Sequence, residues 1–297
     1  MPGRGPRPRS EALLGSVRVG GDHPVVVMGA LNVSPESFYG GSVHRDRDAL
    51  VRAGTAMARA GAVILDVGAR ATAPYLDTAI DDAEEADRLA AAVACLVAKV
   101  GVPVSADTAR ASAARAALDA GASVINDVTG LRDAMVARLV AERGVSIILM
   151  ASPRAAGDPS GPAAPLPTVT GILSAALGRA RAADIPDERV VLDPGIGFFR
   201  DMPISWDAWD ATILGHLDGL ACLGRPLCVG ISRKSFLGAI TGRRDPAERL
   251  PASLAATALA VQRGAAVIRT HDVRETIDAV RVAERIQAAR AGEAGGP

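Results

Sequence analysis

Eight times along the chain, a short run of aliphatic and largely β-branched residues gives way to a polar or glycine-rich turn and then to an alanine-rich amphipathic stretch. The runs at 25–31, 63–67, 102–106, 123–126, 146–150, 190–192, 227–231 and 267–270 read as strands. The stretches at 46–60, 80–100, 109–120, 133–143, 170–183, 206–223, 250–263 and 273–291 read as helices. Strands that are continuously apolar are buried on both faces, which calls for a parallel sheet under a layer of helices. Eight such units favour closure into a single TIM (β/α)8 barrel, an α/β fold, over an open doubly wound sheet, and 297 residues suit one barrel.

A Gly-Gly-Asp turn signal between 16–19 and 25–31 reads as a short N-terminal hairpin leading into the first strand. Residues 1–15, rich in Pro, Gly and Arg, are expected to form a flexible tail, 16–292 one barrel domain, and 293–297 a disordered tail. The Pro-, Gly- and Ala-rich segment 151–169 is long for a connection and is expected to be a mobile loop at the barrel mouth.

Apolar residues make up 49% of the chain but aromatics only 3%, so the core must be built from Ala, Val, Leu and Ile. A net charge of zero argues against a nucleic-acid or membrane-surface role resting on bulk electrostatics. There is no apolar run of transmembrane length and no signal-peptide pattern, which suits a cytoplasmic protein. Cys95, Cys222 and Cys228 sit in apolar runs without paired-ligand spacing and read as core residues in a reducing compartment.

Of 33 basic residues only Lys99 and Lys234 are lysines. A lysine kept against such a bias marks a tight site that needs a compact ammonium rather than a planar fork. Lys234 lies in CVGISRKSFLG, where Gly230, Ser232 and Ser235 read as backbone approaching a ligand, and Ser232 becomes a candidate substrate contact. The plainer reading is a surface lysine at a strand end.

Barrel sites are built from the loops that follow the strands. Asn32, Asp66, Asp107, Asn126 with Asp127, Asp193, Lys234, and Arg269 with His271 mark seven strand ends. Asp107 or Asp127 alone would read as a helix cap. Six of the eight aromatics, Phe38, Tyr39, Tyr75, Phe198, Phe199 and Phe236, fall in the same loops, with Trp206 and Trp209 just beyond. Rings gathered at one face suit a flat, partly apolar ligand, or else simply close the barrel end. Carboxylates, amides and a lysine in an apolar cup suit a neutral heterocycle rich in hydrogen-bond donors and acceptors. Arg269 and His271 lie where such barrels bind phosphate, so the expected ligand is a heterocycle carrying a phosphate or diphosphate. No Ser or Cys stands beside a His as a nucleophile would, and no His/Cys cluster suggests a tight transition-metal site.

With the ordered motifs MGALNVSPESF, GAVILDVG, SADT, GASVINDVTG, VLDPGIGF, GISRKSFLG and RTHDV, spread over about 25–286, the chain resembles the dihydropteroate synthase family. The resemblance implies a transferase in which an arylamine displaces diphosphate from the methyl carbon of a dihydropterin, without a covalent enzyme intermediate. It implies that Asp107, Asn126, Asp193 and Lys234 hold the pterin with Phe198 beside it, Asp107, Asp193 and Lys234 being the catalytic groups. It further implies that Asn32, with Mg²⁺, and Arg269 and His271 hold the diphosphate, and that the chain forms a homodimer through its late helices.

The sequence departs from the family at two loops. The usual GGESTRPG becomes GARATAPY: Thr72 and Pro74 are kept, Ala73 replaces the arginine, Arg70 replaces the glutamate and Tyr75 adds a ring. The usual PDSFSDGG becomes PESFYGGS, with Glu36 for the first acid, Gly40 for the second, and Tyr39 new. Ala151 and Ser152 follow the fifth strand, where the family has a histidine. Because the two early loops shape the acceptor site, Arg70, Thr72 and Tyr75 are candidate acceptor contacts. The expected acceptor is an arylamine other than p-aminobenzoate, first a ribosylated aminobenzene phosphate of the methanopterin type. Two other readings stand beside this one. A pterin-binding methyltransferase domain would have no use for Arg269 and His271, and a catalytically inactive pterin-binding homologue could have lost acceptor binding.

Overall fold

The computed structural model describes residues 10–34, 46–70, 80–153, 164–200 and 202–294. Its strands are β1 (Glu11–Leu14), β2 (Val17–Gly20), β3 (Val26–Asn32), β4 (Ile64–Gly68), β5 (Val104–Asp107), β6 (Val124–Asp127), β7 (Ser146–Met150), β8 (Val190–Asp193), β9 (Leu227–Gly230) and β10 (Ala265–Thr270). The helices are α1 (Arg47–Ala60), α2 (Asp82–Val100), α3 (Ala111–Asp119), α4 (Ala134–Arg143), α5 (Pro165–Ala182), α6 (Trp206–Gly215), α7 (Ser235–Thr241), α8 (Leu250–Gln262) and α9 (Val273–Ala294).

Strands β3 to β10 run parallel and close in chain order, β10 returning to pair with β3. Every residue of β4 through β9 is buried, the reason these runs are apolar without alternation. The helices start where short acids can accept from free backbone amides: Asp46 from Ala49 N at 2.6 Å and Asp81 from Glu84 N at 2.7 Å. The buried face of α3 is mostly alanine, Ala113, Ala114 and Ala117, so that α2 lies close against it.

Two apolar regions hold the barrel. The larger lies between sheet and helices. The smaller fills the end where the strands begin, with Met28, Ile64, Val124, Ile148, Val191, Cys228 and Val267 plugged by Ala12, Leu14 and Val19 of the β1–β2 hairpin. The hairpin is pinned by a hydrogen bond from Gly15 N to Ser146 Oγ at 3.1 Å. With that end sealed, the inward-facing polar residues gather toward the opposite mouth. Asn32, Gly68, Asp107 and Asn126 align in register on four adjacent strands, and Asp66 aligns with Ser105 one layer deeper.

Several sequence expectations shift. The hairpin pairs Glu11–Leu14 with Val17–Gly20 around Gly15 and Ser16, so β3 is not one of its arms. The expected tail 1–15 therefore loses 11–15 to this hairpin, in which Leu14 is fully buried. Helix α5 begins at Pro165, inside the segment expected to be a loop through 169, because proline suits the first turn of a helix. The expected helix 206–223 stops at Gly215 and continues as a 3-10 turn from Leu217 to Leu223. Of the cysteines only Cys228 is buried, and Cys222 is exposed. Phe199, Phe236 and Trp209 are core residues, Phe199 stacking on Trp209 with ring centroids 4.8 Å apart, so three of the eight rings serve packing. Among the described residues no helix is long and apolar enough to cross a membrane.

Candidate active site

Five strands end on a residue of the mouth itself: β3 on Asn32, β4 on Gly68, β5 on Asp107, β6 on Asp127 and β8 on Asp193. Four of these face the cup or flank it, and Asp127 serves the loop. Asp127 accepts from Thr129 N and Thr129 Oγ1 at 2.6 Å each and from Leu131 N at 3.0 Å, which fixes the turn into α4.

The floor of the cup is an ion cluster. Arg269 on β10 donates through Nε to Asp66 Oδ2 at 2.6 Å and through Nη2 to Asp107 Oδ2 at 3.1 Å. Asn126 Nδ2 donates to the same Asp66 oxygen at 3.2 Å. Asp66 is fully buried and Asp107 nearly so. Burial, with Asp66 beside it, pushes Asp107 up to about 7, against the pull of Arg269. The same carboxylates raise Arg269 above its ordinary value despite the opposing effect of burial, so the guanidinium stays charged. Asp66 Oδ1 and Asp107 Oδ1 are buried without a hydrogen-bond partner among the described residues, leaving acceptor capacity at the cup floor for a ligand N–H. Asn32 lies close by: a Cβ placed on Gly68 would stand 3.5 Å from Asp107 Cβ and 3.6 Å from Asn32 Oδ1.

One wall is the loop after β8. Asp193 accepts from Gly195 N at 2.8 Å, and burial raises its carboxyl, with Lys234 pulling the other way. Lys234, half-buried at the start of α7, donates from Nζ to the Ile196 carbonyl and stands 5.2 Å from the centre of the Phe198 ring. Burial lowers the Lys234 ammonium, and Asp193 is the chief group opposing that. The charges of Arg269 and Asp66 on the floor also act on Asp193 in the wall.

The rim follows β9 and β10. Ser232 Oγ lies 3.1 Å from His271 Nδ1 and accepts from His271 N at 3.3 Å. Burial, then the charge of Arg269, lower His271 to about 3, so the ring is neutral around pH 7. Arg233, buried at a left-handed φ of 55°, grips Asp272 through Nε at 2.8 Å and Nη2 at 2.7 Å and donates to the Pro246 and Ala247 carbonyls. It holds the backbone on which Ser232 and Lys234 sit.

Of the sequence candidates, Asn32, Asp107, Asn126, Asp193, Phe198, Ser232, Lys234, Arg269 and His271 line this mouth. Arg70 lies at its edge, with Nε 3.3 Å from Glu85 Oε2. Thr72 and Tyr75, like Glu36, Phe38, Tyr39, Gly40, Ala73 and Pro74, lie outside the described residues. Sequence reasoning missed Glu85, a buried acid of α2 that accepts from Thr108 Oγ1 at 2.6 Å and Arg110 Nη1 at 3.0 Å and ties Arg70 to the barrel. It also missed Asp210 of α6, which accepts from Gly197 N at 2.8 Å. Asp66 was visible as a strand-end acid, but not as the partner of Arg269.

Among the described residues no three His, Cys, Asp or Glu side chains cluster as metal ligands. One amide oxygen, on Asn32, near an acidic floor fits Mg²⁺ only as an ion that keeps most of its waters and arrives bound to a diphosphate.

Residues 28–271 match the family described as pterin binding enzyme. The chain is 38% identical over 269 residues to the dihydropteroate synthase of Mycobacterium leprae, an alignment covering 87% of this chain and 92% of that protein. It is 40% identical over 260 residues to a probable bifunctional folylpolyglutamate synthase/dihydropteroate synthase of Haloferax volcanii, covering 86% of this chain and 30% of that protein. The chain thus spans less than a third of the length of that relative. The dihydropteroate synthase of Xanthomonas albilineans, solved with 4-aminobenzoic acid, matches with a TM-score of 0.82 at 36% identity over 95% of this chain and 98% of that one. The same enzyme solved with 7,8-dihydropteroate matches with a TM-score of 0.77 at 37% identity over 90% and 95%.

Proposed function

We propose, on the premise that this chain belongs to the dihydropteroate synthase family of pterin-binding enzymes, that it joins an arylamine to the methyl carbon of a dihydropterin diphosphate and releases diphosphate. As a member it is a transferase of pterinylmethyl groups. The observation that carries the substrate reading is the gathering of Asp107, Asn126, Asp193 and Lys234 at one barrel mouth, with buried acceptor oxygens of Asp66 and Asp107 on its floor that have no hydrogen-bond partner among the described residues. A pterin presents ring N–H and amino donors beside carbonyl and ring-nitrogen acceptors, which buried carboxylates, an amide and an ammonium can match.

In this reading Asp107, Asn126 and Asp193 grip the donor edge of the pterin and Lys234 an acceptor, with Phe198 against its face. Ser232, His271, Arg269 and Asn32 receive the diphosphate. Asn32 would hold a Mg²⁺ arriving with that diphosphate, and the ion would supply charge neutralisation there. As the C–O bond to diphosphate lengthens, positive charge grows on the methylene carbon, and the buried carboxylates stabilise it without reorganising. The amine nitrogen then bonds to that carbon and releases a proton to solvent, so the protein acts by position and charge.

For the acceptor we propose an arylamine of the 4-aminobenzoate kind, supported by the Xanthomonas albilineans relative solved with 4-aminobenzoic acid. The ribosylated aminobenzene phosphate expected from the altered early loops is the comparison substrate. As the contact for an acidic group of either acceptor we propose Arg70, whose Nε lies 3.3 Å from Glu85 Oε2. We also propose a homodimer through α8 and α9, where Leu259, Val282 and Ile286 are exposed at 60%, 59% and 45%.

The test is diphosphate release from the dihydropterin diphosphate with a panel of arylamines. Release with 4-aminobenzoate supports the proposal. Release only with the ribosylated amine moves the acceptor, and tight pterin binding without release under any amine sinks the enzymatic reading.

A further inference from the structure

We propose that Asp210 is a positioning residue for Lys234, anchoring the loop that cradles the lysine and supplying, besides Asp193, a second negative charge near its ammonium. The geometry begins in the loop after β8. Gly195 and Gly197 take φ of 73° and 87°, conformations that glycine adopts without strain. A Cβ on Gly197 would stand 3.1 Å from Lys234 Cδ, so the lysine stem runs directly against this backbone. The residues on either side of Gly197 both meet the ammonium, Ile196 through its carbonyl and Phe198 through its ring. The Gly197 amide turns the other way, to Asp210 Oδ1 at 2.8 Å. One hydrogen bond from α6 thereby fixes the segment on which Lys234 rests.

That bond alone would not need an aspartate, since an asparagine oxygen could accept it equally well. Asp210 is 1% exposed, and its second oxygen, Oδ2, is buried without a hydrogen-bond partner among the described residues. A carboxylate in such a place is destabilising unless a nearby opposite charge balances it. The charged groups facing Asp210 are Lys234 from the β9 loop, Arg200 from the β8 loop and Asp207 on its own helix. Those facing Lys234 are Asp193, Asp210, Arg269 and Arg200. Two acids therefore oppose two arginines around a lysine that burial already drives toward the neutral form. Burial raises Asp210 to about 6, which leaves it mainly ionised at neutral pH. Removing its charge shifts the balance around Lys234 toward the arginines.

The consequence for catalysis rests on the proposed function, in which Lys234 contacts the pterin; the test also reads Lys234 directly. The chain contains two lysines, so trace acylation across a pH series followed by peptide mapping resolves Lys234 from the exposed Lys99, an internal control. Asp210→Asn keeps an acceptor for Gly197 and removes the charge. It is expected to lower the Lys234 midpoint by about one pH unit, leave Lys99 unmoved, and shift the alkaline limb of kcat/KM for the dihydropterin diphosphate in the same direction. Should that variant fail to fold, Asp210→Ser replaces it and must give the same shift. An unmoved Lys234 midpoint in the folded variant overturns the inference. A shifted midpoint in a protein that releases no diphosphate upholds it while removing the proposed function.

Discussion

Arg269 Nε and Asp66 Oδ2, 203 residues apart in the chain, meet at 2.6 Å beneath the cup. Asp66 is fully buried and shares this oxygen with Asn126, so one carboxylate orients both a cation and an amide of the cup floor. Removing one partner of such a buried pair strands the other. Asp66→Ala is expected to destabilise the fold by about 3–5 kcal/mol, read by urea unfolding. Arg269→Met added to it should recover part of the loss. Additive losses in that double-mutant cycle would mean that the pair is not coupled.

Asp107 gives a prediction with a sign. Its folded value of about 7 lies above the 3.8 of an unperturbed aspartate. Between about pH 4 and pH 7 the folded state therefore binds more protons than the unfolded, and this group makes stability fall as pH rises. Above pH 7 the destabilisation is fully present, and below pH 4 it is gone. Asp107→Asn is expected to raise the melting temperature relative to the wild type at pH 8 and to lose that advantage by pH 4, while weakening pterin binding. A melting difference independent of pH would contradict the assignment.

The rim depends on Arg233 rather than on its neighbour in sequence. Buried, with two bonds to Asp272 and two to loop carbonyls, it holds the turn that carries Ser232 and Lys234. Arg233→Ala should destabilise by about 3–5 kcal/mol in urea unfolding and raise the KM for the dihydropterin diphosphate. Arg233→Lys, lacking the fork, should rescue little of either. Full rescue by lysine would show that charge alone suffices there.

The barrel was legible because its signal is local and repeated: each buried strand is a short aliphatic run, and seven of the eight strand ends carry a polar residue. What the sequence hid depends on register and pairing. The turn at Gly15 and Ser16 and the one at Gly20 to Asp22 look alike as motifs, and only packing against Ser146 and the barrel floor decides that the first makes the hairpin. The pairing of Arg269 with Asp66 and Asp107 was hidden, since these partners become its neighbours only when β10 closes against β3. Glu85 was one acid among several at the start of α2, and Asp210 one polar residue in an apolar helix. Their roles are set by burial, which periodicity does not reveal at a single position. Phe199, Phe236 and Trp209 suited either a ligand or closure of the barrel end; all three are buried, Phe199 from the loop after β8, Trp209 from α6 and Phe236 from α7, a direction that sequence position alone does not reveal.

Lys234 was singled out by being a lysine, and the structure supplies the steric reason. Its stem passes within 3.1 Å of the position a Gly197 Cβ would occupy, and its ammonium ends on the Ile196 carbonyl beneath Phe198. A guanidinium is wider, planar and longer, so it can reach that carbonyl only by displacing the glycine loop or by swinging into the pterin space. Because α7 and the ion cluster on the floor do not depend on this side chain, Lys234→Arg is expected to fold normally. Its affinity for the dihydropterin diphosphate should fall about tenfold or more, or roughly 1.4 kcal/mol, as measured by titration calorimetry. Lys234→Met, of similar girth but uncharged, separates fit from charge: a loss as large as that of the arginine variant would show that the ammonium itself is needed. Near-normal binding by the arginine variant would mean that the loop yields and that the cup does not require a lysine.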